Sequence, residues 1–185
     1  MWTKRICLLS SGIICLLACS LLQSPSPGTT DSGENAAEPQ VIYELFDESP
    51  APDKFTVVRV GKSKEKLPDI LRAEAQKAFD MGRAPFVEFY AVWCLHCSAI
   101  HESLGDERMI DAFTGTYIVK LDLDYWKEKL SGTGLYVRGI PAFYEIDANG
   151  KPTGRMITGA AWGEDIPENI APPMKEFFNE SLSEN

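Results

Sequence analysis

The sequence predicts one α/β domain built on a mixed β-sheet flanked by helices, and three observations carry that prediction. Short runs of β-branched and aromatic residues alternate with stretches of helical periodicity; the last two runs flank a tight turn; and residues 41–185 suffice for one core and are too few for two.

Taken in order, Val41–Phe46 reads as an edge strand and Phe55-Thr-Val-Val-Arg-Val60 as the first full one. Leu67, Ile70, Leu71, Ala75, Ala78 and Phe79 then recur at helical spacing, with Gly82 ending the run. Phe86–Tyr90 is apolar enough for a central strand. A helix opens at Cys94, breaks at Gly105 and resumes through Met109, Ile110 and Phe113. Tyr117–Leu123 is the next strand and Tyr125–Leu130 a short helix. Phe143–Ile146 and Arg155–Thr158 flank Ala148-Asn-Gly-Lys151 as a hairpin. Pro172-Pro173 start the final helix, whose Met174, Phe177, Phe178 and Leu182 share a face.

The chemistry concentrates in Trp93-Cys94-Leu95-His96-Cys97, which follows the run Pro85–Ala91 and opens a helix. Two cysteines on a helix's first turn close a small disulfide without moving the backbone, and the unpaired N–H groups there stabilise a thiolate. Cys94 is expected to be the exposed nucleophile that forms a mixed disulfide with substrate, and Cys97 the buried thiol that resolves it. The same spacing is half a zinc site, and His96 and His101 are the nearest further ligands. Tetrahedral sites usually draw ligands from two separated segments, however, and His101 reads as a solvent-facing helix residue. No metal or other cofactor is expected.

Phe86-Val-Glu-Phe-Tyr-Ala-Val-Trp-Cys-Leu-His-Cys97 resembles the active-site strand and helix of thioredoxin-like proteins. Tyr117–Asp124, Tyr136-Val-Arg-Gly-Ile-Pro-Ala-Phe-Tyr144 and Asn149-Gly150 resemble, in the same order, the family's next strand, its Gly-Ile-Pro loop and its closing hairpin. The resemblance covers roughly residues 55–182 and implies the thioredoxin fold. It also implies that Glu88 is the buried carboxylate that relays a proton for Cys97, and that Lys120 pairs with it. Pro141 is expected to have a cis peptide bond facing the cysteines, freeing the backbone of Ile140 to pair with a substrate strand. Trp93 would form a lid over the disulfide, with Trp126 and Trp162 as core or rim aromatics. His96, in the variable dipeptide, would tune the redox potential. Its x-His pair resembles that of disulfide-forming oxidants, whereas the strand and Asp106–Phe113 resemble reducing C-terminal domains of disulfide-interchange proteins. The expectation is therefore a thiol–disulfide oxidoreductase, with reduction favoured over oxidation. A non-catalytic binding module is the alternative from another class.

The N-terminus predicts location. Lys4-Arg5 precede an apolar stretch, Ile6–Ala18, shaped like the core of a signal peptide. Leu16-Leu17-Ala18-Cys19 resembles the bacterial lipobox, which implies cleavage after residue 18 and a lipid on Cys19. Residues 19–40 read as a lipidated terminus and flexible tether, too rich in Pro, Ser and Gly to build a core, with an r.m.s. reach of roughly 25 Å. Of five cysteines, Cys7 and Cys15 leave with the leader and Cys19 is blocked, so only Cys94 and Cys97 remain as thiols. The expected place is the periplasmic face of a membrane, with Ser20 pointing to the outer membrane. The expected partners are protein thiols and disulfides, a membrane-bound or soluble thiol–disulfide redox partner, and the membrane itself. A formal net charge of −9 with no basic block excludes a phosphate-tracking surface, so nucleic acid is not an expected partner.

Overall fold

The computed structural model describes residues 43–182. The expectations placed on residues 1–40, including Cys19, and the first two residues of the Val41–Phe46 segment lie outside them. The strands are β1 (Leu45–Asp47), β2 (Thr56–Val60), β3 (Ala84–Tyr90), β4 (Thr116–Asp122), β5 (Ala142–Ile146) and β6 (Pro152–Thr158). The α-helices are α1 (Leu67–Asp80), α2 (Leu95–Ser103), α3 (Glu107–Phe113), α4 (Leu123–Trp126) and α5 (Pro167–Leu182). None is long and apolar enough to cross a membrane.

The six strands form one sheet in the order β1-β2-β4-β3-β5-β6. The inner strands β2, β4 and β3 run parallel, while β1, β5 and β6 are added antiparallel, which gives the mixed sheet expected. Side chains on a strand alternate between faces. Phe86 and Ile118 accordingly pack with Ile100, Phe113 and Phe178 under α2, α3 and α5. Val87, Phe89 and Val119 pack with Leu67, Leu71 and Trp126 on the opposite face under α1 and α4.

The short helix expected over Tyr125–Leu130 begins at Leu123 and continues as a 3-10 turn over Lys127–Lys129, and the last strand begins at Pro152 rather than Arg155. The two ends of the fold differ more. The expected edge strand lies later, at Leu45–Asp47, where it pairs Leu45 with Val60 and Asp47 with Val58. The last helix starts at Pro167, and Pro172 and Pro173 lie inside it. A proline inside a helix costs roughly 3 kcal/mol. Here Ile170 and Ala171 are buried ahead of the prolines and Met174 and Phe178 after them, so the whole segment is held against the sheet. Phe178 meets Phe86 and Phe113 edge-on, with ring centroids 4.7 Å and 4.9 Å apart. Such pairs contribute about 0.5–1.5 kcal/mol each beyond their buried area, which with that burial offsets the proline cost.

Between β5 and β6 the side chain of Asp147 accepts from the N–H groups of Asn149 and Lys151. Gly150, at φ 70°, sits so close to α1 that a Cβ there would lie 2.5 Å from the backbone nitrogen of Arg72. The hairpin tip thereby fixes β5, and with it the loop before it, against the rest of the domain.

Candidate active site

β3 leads directly into the redox motif. Cys94 is the N-cap of α2, and its Sγ accepts the Cys97 N–H at 3.1 Å. The first helical turn brings the two Cα atoms to 5.3 Å, and the sulfurs form a disulfide. Exposure does not separate the two cysteines as expected, since Cys94 is 4% and Cys97 3% exposed. The reason is the N-cap position, which turns Cys94 in toward the helix and packs both sulfurs with Ala91, Tyr90 and Ile140. What distinguishes Cys94 is the N–H aimed at its sulfur.

The rim around the disulfide is apolar and open. Val92, Trp93, Leu95 and Tyr136 are all strongly exposed. Trp93 is not a closed lid: its indole N–H donates to Asp124 Oδ2 at 2.8 Å, which anchors the ring at the edge of the site. The Ile140–Pro141 bond is cis. Pro141, Ile140, His96, Arg138 and Thr158 line a groove of about 420 Å³. Among the described residues Ile140 makes no backbone–backbone hydrogen bond, so its N–H and C=O are open to an extended segment laid in the groove. His96 Nδ1 is held by Asp165 Oδ2, and the other oxygen of Asp165 accepts the indole N–H of Trp162 at 3.0 Å. Trp162 is buried in the core beneath α5, and Trp126 is buried on the opposite face.

Behind the disulfide lies a row of charge. Parallel pairing places Arg59 beside Lys120 and Lys120 beside Glu88, and all three share the sheet face covered by α2. On β5 the residue opposite Glu88 is Phe143, which is apolar. Glu88 is 5% exposed, and burial pushes its carboxyl up from 4.5 to about 7, against the pull of the Lys120 ammonium. The expected Glu88–Lys120 ion pair does not form. Lys120 Nζ instead donates to Glu48 Oε2 at 2.8 Å, and Glu48 Oε1 accepts from Arg59 Nε at 2.8 Å. Burial alone would raise the Glu48 carboxyl, but the hydrogen bonds from Lys120 and Arg59 hold it below its ordinary value.

His101 is solvent-exposed as expected, and its Nδ1 also lies 3.3 Å from Lys120 Nζ. Partial burial and the Lys120 charge lower its pKa. His96 and His101 thus point to different partners, away from a common centre with the sulfurs. Among the described residues no group of three His, Cys, Asp or Glu side chains is placed to hold a metal. Sequence reasoning missed Glu48 and Asp165. Asp165 lies 69 residues from His96, and neither residue belongs to a motif that would have marked it.

The thioredoxin family model matches residues 74–172, more than half of the chain. The chain belongs to the thioredoxin family. Among solved structures, a thioredoxin from Halobacterium salinarum is 19% identical over 71% of this chain and 93% of its own, with a TM-score of 0.43. A disulphide isomerase from Xylella fastidiosa is 18% identical over 65% and 94%, with a TM-score of 0.47. A Plasmodium falciparum thioredoxin is 14% identical over 77% and 97%, with a TM-score of 0.44. No curated protein matches the chain. Membership of the thioredoxin family, with a disulfide at the start of α2, supports thiol–disulfide redox activity.

Proposed function

We propose that this protein is an exported, membrane-tethered reductase of protein disulfides. The observation that carries the reading is the Cys94–Cys97 disulfide at a helix N-terminus beside the cis-Pro141 groove. In the reduced enzyme the Cys94 thiolate attacks one sulfur of a substrate disulfide. A new S–S bond forms, the substrate bond breaks, and the departing thiolate takes a proton. Cys97 then loses its proton to Glu88 and attacks the Cys94 sulfur. The second substrate thiolate leaves, and the Cys94–Cys97 bond closes. The substrate gains two electrons, and a dithiol redox partner must return them to the enzyme.

Glu88 suits the relay because an acid with a pKa near 7 both accepts and returns a proton near neutral pH. Direction rests on the environment of His96. An imidazole free to approach Cys94 would stabilise its thiolate and favour an oxidant. Here Asp165 holds that ring and adds a negative charge beside it, which favours reduction. A reduction potential near about −270 mV supports the reductase, and one near about −120 mV the disulfide-forming reading.

The decisive experiment compares Cys94→Ser and Cys97→Ser. Cys97→Ser is expected to accumulate mixed disulfides with protein substrates, and Cys94→Ser to lose turnover while remaining folded. Partner binding that survives with no turnover in the wild-type chain would instead support a binding module. Location rests on Leu16-Leu17-Ala18-Cys19. Wild-type chain expressed in bacteria is expected to incorporate labelled fatty acid and partition into detergent, and Cys19→Ala to do neither. A mature terminus elsewhere than residue 19 would favour a freely diffusing enzyme.

A further inference from the structure

Across the sheet, Lys120 has a carboxylate available on each side. Glu88 neighbours it on β3, and Glu48 reaches it from the segment that follows β1. The hydrogen bond goes to Glu48, at 2.8 Å, and among the described residues none is made to the Glu88 carboxylate. Two features decide the contest. Glu48 has a second cation within reach, because β2 places Arg59 next to Lys120, and it bridges the two with one oxygen each. Glu48 itself is fixed from behind, since its backbone N–H donates to the Val57 carbonyl at 2.8 Å. The backbone of Glu88 is held on both sides by the sheet, but among the described residues no second cation lies beside its carboxylate to complete a bridge. Its neighbour across β5 is Phe143, and the helices above it present Ile100 and Phe178.

We propose that Glu48 is a positioning residue of the active site: by bridging Lys120 and Arg59 it withholds the lysine ammonium from Glu88 and leaves Glu88 able to carry the proton exchanged with Cys97. This rests on the relay role of Glu88 given above. The charged and titratable groups that register brings to the same face are Lys120 and Asp122 on β4, Arg59 on β2 and Tyr90 on β3; Glu48 and His101 reach Lys120, and the cysteines lie at the start of α2. Lys120 and Glu48 act on it most directly, the first favouring its ionised form and the second its protonated form. With Glu48 neutral, both influences turn the same way. The nearby negative charge is lost, and the ammonium is released toward Glu88. Glu88 then holds its proton less well and becomes the fixed anion of an ordinary ion pair.

The test is a carbon-13 NMR titration of the Glu88 carboxyl in the oxidised full chain, which reads the proton without any turnover. In Glu48→Gln the Glu88 midpoint is expected to fall by about one pH unit, a tenfold loss of proton affinity. Glu48→Asp, which keeps the charge but shortens its reach, is expected to give a smaller fall, and it carries the test if Glu48→Gln does not fold. In a Lys120→Gln background the Glu48→Gln shift should shrink by at least half. An unmoved Glu88 midpoint in a folded variant overturns the proposal. So does an equal shift with and without Lys120, because Glu48 would then be only a nearby charge. The relay itself is tested separately, by whether Glu88→Gln slows Cys97 resolution, so the two ideas fail independently.

Discussion

The two sides of the Cys94–Cys97 bond present the same residue types under opposite conditions. Behind it, Glu88 and Lys120 are buried under α2, half-buried Glu48 bridges Lys120 and Arg59, and the charges of Lys120 and Glu48 both act on Glu88. In front of it, His96–Asp165 and Trp93–Asp124 are also carboxylates holding nitrogen donors, but they stand at the edge of solvent. Water and salt weaken the front pairs, whose His96 and Trp93 are exposed, more than they weaken the pair that buried Lys120 makes with Glu48. Moving one charge behind the disulfide is therefore expected to change the protonation state of a buried acid, whereas moving one in front is expected to have a smaller effect that salt screens. In the mechanism proposed above, proton handling and substrate contact fall on opposite sides of one bond.

The contrast breaks first at Lys120. Lys120→Met leaves two carboxylates in a poorly solvated site, and removing one partner of a buried pair costs about 3–5 kcal/mol. Urea unfolding at pH 7.5 measures this; a loss below about 1 kcal/mol would mean that water reaches the row freely.

Next in size is the pH dependence carried by Glu88. Its folded pKa, about 7, lies above the ordinary 4.5, so the folded state binds this proton more tightly than the unfolded chain does. The associated stability is complete below pH 4.5 and is lost as pH rises through 7. That difference corresponds to on the order of 3 kcal/mol. Glu88→Gln should remove this slope, gaining most relative to wild type near pH 8 and little near pH 4. Parallel stability curves for the two proteins would refute the raised pKa.

Effects in front should be smaller and sensitive to salt. Asp165→Asn removes the negative charge beside His96 and frees the ring, so the thiolate is expected to be stabilised and the potential to become more oxidising. The glutathione equilibrium should move about three- to tenfold, or about 15–30 mV, and less at 1 M salt. No shift, or a shift toward reduction, would undo the reading of direction. Smallest is Asp124→Ala, which frees the Trp93 indole at an exposed position and should alter unfolding by less than about 1 kcal/mol.

The front of the site was largely legible in the sequence, because its parts are local. Cys94 and Cys97 sit one helical turn apart, and Pro141 lies in a recognisable loop; behind them Glu88 was legible too, flanked by apolar residues on a strand that runs into the motif. The elements were legible for the same reason, since each shows its own period. What was hidden depends on pairing between distant segments. Glu48 reaches Lys120 only because β1 folds back antiparallel on β2, and nothing in Asp47-Glu48-Ser49 announces that. Asp165 reaches His96 from the turn before α5, whose start was itself misplaced because two consecutive prolines read as a beginning. His101, four residues after Cys97, shows the intermediate case. Its helical spacing was visible, but its neighbour Lys120 was not.

Strand β1 adds three residues to the edge of the sheet and almost nothing to the core. It also lies well upstream of the stretch that matches the family, residues 74–172. The borders of the inherited unit and of the working site therefore do not coincide. A version trimmed to begin at Phe55 would retain the cysteines, the cis proline, Glu88 and Lys120, and by every motif would pass as the same reagent. It would also have exchanged a shared lysine for a private one, so swapping this domain into another protein is safe only if the cut is made ahead of Leu45.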